Sequence, residues 1–205
     1  ADQPAGEFKL VHPRQHWMEY YLEHAGDDRF IIRTNENALN FKLMQVPVSD
    51  PDKANWREIL PNREDTYLEE VDAFRDHLVL YERRSGLPQI RISAPDGLTD
   101  VHMVQFPDAV YTYSQSANPE FTSRTLRFNY NSLVTPVSTI DYDMVTRTWE
   151  VKKVQEIPSG YDPAQYSSER LHATAADGVQ VPISVVYRKD FQRDGSRPLL
   201  LIGYG

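Results

Sequence analysis

Cysteine is absent from the 205 residues. That excludes disulfides and thiolate-bound metal and agrees with a cytoplasmic location. No apolar run approaches the roughly 20 residues of a membrane-spanning helix, so no membrane partner is expected. The start, Ala1-Asp2-Gln3-Pro4, has neither an initiator Met nor the basic-then-apolar pattern of a signal peptide. The expectation is a chain that begins inside a longer one. Asn-x-Ser/Thr sequons are missing, which agrees weakly with the cytoplasm. Positive charge is in deficit, with 22 Lys and Arg against 30 Asp and Glu for a net charge of −8. This argues against nucleic acid and is compatible with a cationic peptide partner. The nine glycines never frame Gly-x-Ser-x-Gly, so no serine can be assigned as the nucleophile of an α/β-hydrolase.

What is present reads mostly as β-strands. Short runs of β-branched and aromatic residues alternate with polar turn clusters. Phe30 to Thr34, His77 to Tyr81 and Thr125 to Asn129 resemble one another at a spacing of roughly 48 residues. A strand candidate precedes each of them: Met18 to His24, Leu68 to Arg75 and Asp108 to Ser116. Two more follow each: Phe41 to Val48 and Trp56 to Leu60, Pro88 to Ser93 and Val101 to Phe106, then Val137 to Asp143 and Trp149 to Val154. Four strands repeated three times predict three blades of a β-propeller. Three blades cannot close such a ring, so further blades are expected before Ala1.

Around Ile157 the pattern changes. Pro158 to Pro163 is a turn-rich connector. Tyr166 to Ala175 and Val179 to Lys189 flank an Asp177-Gly178 turn and predict a hairpin, with Pro182 marking an edge strand or a bulge. The last nine residues read RPLLLIGYG. Leu199 to Ile202 predict a strand buried on both faces, as in the parallel sheet of an α/β enzyme. The expected organisation is mainly β. Residues 1–157 form the C-terminal part of a propeller, and 158–205 the opening strands of an α/β-hydrolase domain.

Few side chains suggest chemistry. His12 and His16 have helical metal-site spacing, but Pro13 lies between them, and they read as surface loop histidines. His172 reads as a structural residue of the hairpin. Neither a metal nor a cofactor is expected. Glu69, Glu70 and Asp72 could attract a basic substrate, although the simpler reading is a solvated strand edge, as also for Arg83-Arg84 and Lys152-Lys153. Tyr204, between Gly203 and Gly205, reads on the residues alone as a packing tyrosine with a satisfied hydroxyl.

From Tyr130 onward the chain resembles the prolyl oligopeptidase family of serine peptidases, and within it the oligopeptidase B members, which cleave after basic residues. The matching motifs are SLVTPVSTIDYD (Ser132 to Asp143), SGYDPAQYSSERL (Ser159 to Leu171), ADGVQVPISVVYRKD (Ala176 to Asp190) and RPLLLIGYG (Arg197 to Gly205). Upstream, Tyr67 to Leu87 and Ile31 to Leu43 are similar to that family's propeller. The resemblance implies a seven-bladed, unclosed propeller capping a hydrolase domain. Its partners would be short peptides, and the rest of the same propeller and hydrolase. It implies a Ser-His-Asp triad located downstream of Gly205. It also gives Tyr204 a role, because the second tyrosine of the family's YGYG motif donates its hydroxyl to the oxyanion of the tetrahedral intermediate. Ile202 stands where the motif has its first tyrosine.

The resulting expectation is a piece of a serine oligopeptidase. The alternative is a non-catalytic propeller used as a binding module; an oligomerisation role has only the open sheet edges in its favour. The 205 residues alone are expected to show no peptidase activity. Turnover of a fluorogenic arginyl substrate by the purified chain, abolished by a serine-directed inhibitor, would overturn this.

Overall fold

The structure, a computed structural model, describes residues 6–26 and 28–203. Twelve of its strands form three four-stranded antiparallel sheets, each a meander in chain order. The first holds β1 (Tyr20–His24), β2 (Arg29–Thr34), β3 (Lys42–Pro47) and β4 (Arg57–Leu60). The second holds β5 (Thr66–Ala73), β6 (Leu78–Arg84), β7 (Leu87–Ser93) and β8 (His102–Met103). The third holds β9 (Tyr111–Gln115), β10 (Thr125–Ser132), β11 (Ser138–Asp143) and β12 (Thr148–Val154). A separate hairpin pairs β13 (Tyr166–Thr174) with β14 (Gln180–Arg188). These are the expected repeats. The expected Val101 to Phe106 strand is the one much reduced, since only His102 and Met103 pair with β7. Beyond them Val104 and Phe106 turn inward onto the core.

The core follows from the two-residue period of a strand. On β6, Leu78 and Leu80 pack with Ile31, Leu43, Leu68 and Val71, filling the space between the first and second sheets. Val79 and Tyr81 point the other way and meet Leu126, Phe128, Tyr130 and Ile140 of the third. The second sheet is thus covered on both faces. Phe106 stacks on Tyr111 at 4.3 Å and meets Phe128 and Trp149 edge-on, so this second junction is largely aromatic. Each fully buried large side chain there contributes about 1.5–3 kcal/mol from surface removed from water.

In a meander, alternate turns share an end of the sheet. The β2–β3, β6–β7 and β10–β11 turns therefore lie at one end, and the hairpin sits against it. The β6–β7 turn is Ser85-Gly86, with φ of 50° and 77°, the two-residue type that suits strand twist. A Cβ on Gly86 would stand 3.6 Å from both Arg170 and Pro182 of the hairpin. Arg170 donates to the Ser85 carbonyl, and the Tyr161 hydroxyl donates to the Val134 carbonyl of the β10–β11 turn at 2.8 Å.

The hairpin turn is the expected one. Gly178 has φ 87°, and Ala175 and Val179 close the loop at 2.9 Å. Pro182 lies opposite His172 in unbroken register. In a two-stranded sheet both strands are edges, so a missing N–H costs nothing there.

The expected buried strand Leu199 to Ile202 is not found. These residues pair with nothing among the described residues and are about four-fifths exposed. An apolar strand becomes a strand only when neighbours satisfy its N–H and C=O groups on both sides, and the hairpin does not extend to them.

The two faces of β10 are expected to differ sharply in cost. Phe128→Ala should lower the unfolding free energy of the complete protein by about 3–5 kcal/mol. Arg127→Ala, one residue away on the exposed face, should have a small effect beside it. Urea denaturation of both variants checks this, and equal losses would contradict the packing described.

Candidate functional site

The first strands of the sheets hold the charged groups of interest. In both junctions the first strand of the following sheet makes the close approach, β5 against β1 and β2, and β9 against β7. The sheets of a propeller stand around a central axis, and at the first junction the first strands β1 and β5 meet.

On β5 the sequence Leu68-Glu69-Glu70-Val71-Asp72 would alternate in a regular strand. Leu68 and Val71 nevertheless both reach the same apolar cluster. A register shift between Leu68 and Glu70 makes this possible, because Leu68 opposes Glu82, Glu70 opposes Tyr81, and Glu69 is the extra residue. Such a bulge re-aims the side chains on either side of it.

Glu69 accepts from Arg83 of its own sheet at 2.7 Å. Glu70 faces the preceding sheet, where Arg33 Nε lies 4.0 Å from its carboxylate. Arg33 is buried, its guanidinium held between the rings of Tyr21 at 4.1 Å and Phe41 at 4.4 Å. Asp72 accepts from the Tyr81 hydroxyl at 2.6 Å. Burial pushes its carboxyl above the usual range, and Glu70 adds to the effect while the Tyr81 and Asn118 hydrogen bonds oppose it. Glu23 on β1 is raised for the same reason, burial first and then Asp72.

Two of the three carboxylates weighed from the sequence, Glu70 and Asp72, thus converge with Glu23 from the neighbouring sheet. β5 is an edge strand as expected, but it is not a uniformly solvated one. Arg84 pairs with Asp65, and Lys152 with Glu150, as exposed surface ion pairs of little energetic weight.

Tyr204 lies outside the described residues. His12 differs from the surface reading: its ring packs edge-on between Tyr20 and Trp56, and its carbonyl accepts the Tyr20 hydroxyl at 2.8 Å. His16 is exposed beside Trp17. His172 is exposed on the hairpin rather than packed within it. Among the described residues, no three His, Asp or Glu side chains converge as metal ligands.

Sequence reasoning missed two polar sites, one buried and one half-buried. Glu82, 2% exposed, pairs with Arg63 through both carboxylate oxygens and fastens the β4–β5 link to β6. Its signal was a single acid closing the apolar run of β6. Asp108 accepts from the Tyr130 hydroxyl and from Thr135 at 2.9 Å, fixing the turn on which Tyr161 rests. That pairing spans 22 residues and has no local signal.

A family model described as "Prolyl oligopeptidase, N-terminal beta-propeller domain" matches residues 1–155. The chain is 36% identical over 203 residues to dipeptidyl aminopeptidase BI of Pseudoxanthomonas mexicana, covering 98% of this chain and 27% of that protein. It is 33% identical to Protease 2 of Moraxella lacunata, covering 100% and 29% respectively. Among solved structures, oligopeptidase B from Leishmania major matches with a TM-score of 0.80 at 30% identity, over 93% of this chain and 28% of that one. The chain spans less than a third of the length of these relatives.

The raised carboxylates make a testable contribution to stability. The folded state of Glu23 and Asp72 binds more protons than the unfolded chain between the ordinary carboxylate value and the raised one. Their contribution is therefore most favourable below that window and falls as pH rises through it. Asp72→Asn keeps an acceptor for Tyr81 and removes the charge. It should raise the urea midpoint at about pH 8 and give no gain at about pH 4, near the ordinary carboxylate value. An equal shift at both pH values would refute the electrostatic account.

Proposed function

The chain belongs to the prolyl oligopeptidase family, and from that premise we propose that it is part of a serine peptidase acting on short peptides. Residues 1–157 would supply three propeller blades and 158–205 the opening of the hydrolase domain. The observation that carries the reading is the order of parts. Three four-stranded sheets lead through Tyr161, anchored on the β10–β11 turn, into a hairpin seated at one end of those sheets.

The proposed reaction is acyl transfer, with serine, histidine and aspartate supplied by the rest of the protein. As the scissile carbonyl becomes tetrahedral its oxygen gains negative charge. A fixed hydroxyl aimed at that oxygen stabilises the transition state more than the substrate. Tyr204 is assigned that hydroxyl, by its place in the IGYG sequence. The backbone N–H after the nucleophile would be the second donor.

Cleavage after arginine or lysine is the preferred specificity. It is supported by the likeness to an oligopeptidase B and agrees with the chain's negative charge. A second reading, release of dipeptides from a free N-terminus, is favoured by the 36% identity to a protein named as a dipeptidyl aminopeptidase.

The complete protein separates the two when given an N-blocked arginyl substrate and a dipeptidyl substrate with a free amine. Turnover of the blocked substrate supports cleavage after basic residues, and turnover of the free-amine substrate alone supports dipeptide release. Turnover of neither would sink the peptidase reading. On the preferred substrate, Tyr204→Phe should lower kcat by about 10²–10³-fold with KM little changed. A loss below about threefold would remove Tyr204 from the oxyanion role.

A further inference from the structure

At the end opposite the hairpin, the first sheet leaves a cleft of about 430 Å³. Arg29 of β2, Gln45 of β3 and Arg57 of β4 reach into it from three adjacent strands. The β1–β2 turn adds Asp28, and the link between β3 and β4 adds Asp50. The Val48 N–H bonds the Asp28 carbonyl at 2.9 Å, so turn and link are held together.

Four charged residues thus line one cleft, two of each sign. Among the described residues none of the four forms an ion pair. Both guanidinium groups are tied to neutral acceptors instead. Arg29 donates from Nη1 to the Gln45 side chain at 2.8 Å and from Nη2 to the Pro95 carbonyl at 2.9 Å. Arg57 donates from Nη1 to the Ala54 and Trp56 carbonyls, both at 3.0 Å. Its Nε and Nη2 edge is left over, the side that grips a carboxylate through two parallel hydrogen bonds. Asp28 and Asp50 are engaged through their backbone, by the Val48 N–H and the Asn55 amide, and their carboxylates can accept from a cation.

Opposite charges fixed around one concavity, each without a counter-charge, suit a molecule that carries both signs itself. A free amino acid holds its two charges on one carbon. An extended dipeptide separates them by two residue lengths, roughly 7 Å, and makes better use of a cleft of this size. We propose that the cleft is a binding site for dipeptides with both termini free. Arg57 takes the terminal carboxylate, and Asp28 and Asp50 take the terminal ammonium. The site rests on these contacts alone; that such peptides are also products of the protein rests on the peptidase reading above.

The test uses the complete protein after treatment with a serine-directed covalent inhibitor, so that peptide is neither cleaved nor held at a catalytic serine. Calorimetry with alanyl-alanine at neutral pH and low salt should show one molecule bound per chain. Absence of saturable binding up to about 10 mM would overturn the site. N-acetyl-alanyl-alanine and alanyl-alanine amide should each bind about tenfold more weakly or worse. Blocked peptides that bind as tightly would overturn the charge pairing. Free alanine should be weaker than the dipeptide, and equal affinity would overturn the dipeptide assignment. Arg57→Gln should cost alanyl-alanine about tenfold and cost the amide nothing further. Asp28→Asn combined with Asp50→Asn should do the same for the free amine relative to the acetylated peptide. All three positions are exposed, so the variants should keep the fold. Wild-type affinity in Arg57→Gln would place the peptide elsewhere and overturn the proposal. Peptide turnover by the untreated protein bears on the peptidase reading alone, so the two can fail separately.

Discussion

A four-stranded sheet has two faces, and everything else here depends on how each is covered. β6 shows the constraint most plainly. Its even-numbered leucines, Leu78 and Leu80, belong to one core and Val79 and Tyr81 to another. Neither core lies within a sheet; both lie between sheets. Stability is therefore passed from sheet to sheet, as in other repeat architectures. The outer faces of the set differ. On the first sheet, Ile32, Val46 and Trp56 are apolar and are covered by Val11, Met18 and Tyr20. On the third sheet the outward residues are polar. Arg127 pairs with Asp141 at 2.6 Å, and Thr139 donates to Asn129 at 3.0 Å. A face of that kind can meet water without cost.

The two ends of the sheets are also unlike. At one, short turns such as Ser85-Gly86 leave room for the hairpin, whose own apolar residues Leu171, Val181 and Val186 stay exposed. A two-stranded hairpin is marginal by itself. Its position depends on Tyr161 and Arg170, which bond to backbone carbonyls of two successive sheets. At the other end a long turn, Ser116 to Arg124, reaches across to the first turns of its neighbours, where the Phe121 carbonyl accepts the Arg75 N–H and the Phe121 ring lies against Gly26. The same meander thus gives one end that receives a following segment and one that ties the sheets together.

The blades were legible because a half-buried strand repeats every two residues and a propeller repeats every blade, so both periods stand in the sequence. The Asp177-Gly178 hairpin was legible because its turn requires a glycine at positive φ. What escaped was non-local. The bulge at Glu69 follows from Leu68 and Val71 needing one face, which alternation alone does not reveal. The contact of Phe121 with Gly26 joins positions far apart in the chain. Glu82 closes an apolar run but takes its partner from the preceding link. Leu199 to Ile202 misled for the complementary reason: composition marks a segment as fit for a sheet interior, and only neighbouring strands make it one.

The bulge connects these levels. Without the extra residue, Glu69 and Val71 would share a face, and one of Leu68 and Val71 would be lost from the core. With it, Glu69 stays with Arg83 of its own sheet, while Glu70 and Asp72 are delivered to the junction where Glu23 arrives from β1. Arg33 lies close to Glu70, with its guanidinium against the rings of Tyr21 and Phe41. Negative charge is concentrated there against its own desolvation, as the raised carboxyls of Glu23 and Asp72 record. Elsewhere acids such as Glu82, Asp141 and Asp143 have arginine partners. An arrangement that lowers stability at one junction is the kind found where a protein meets a ligand. The first strands of the sheets are therefore where this part of the chain gathers buried negative charge.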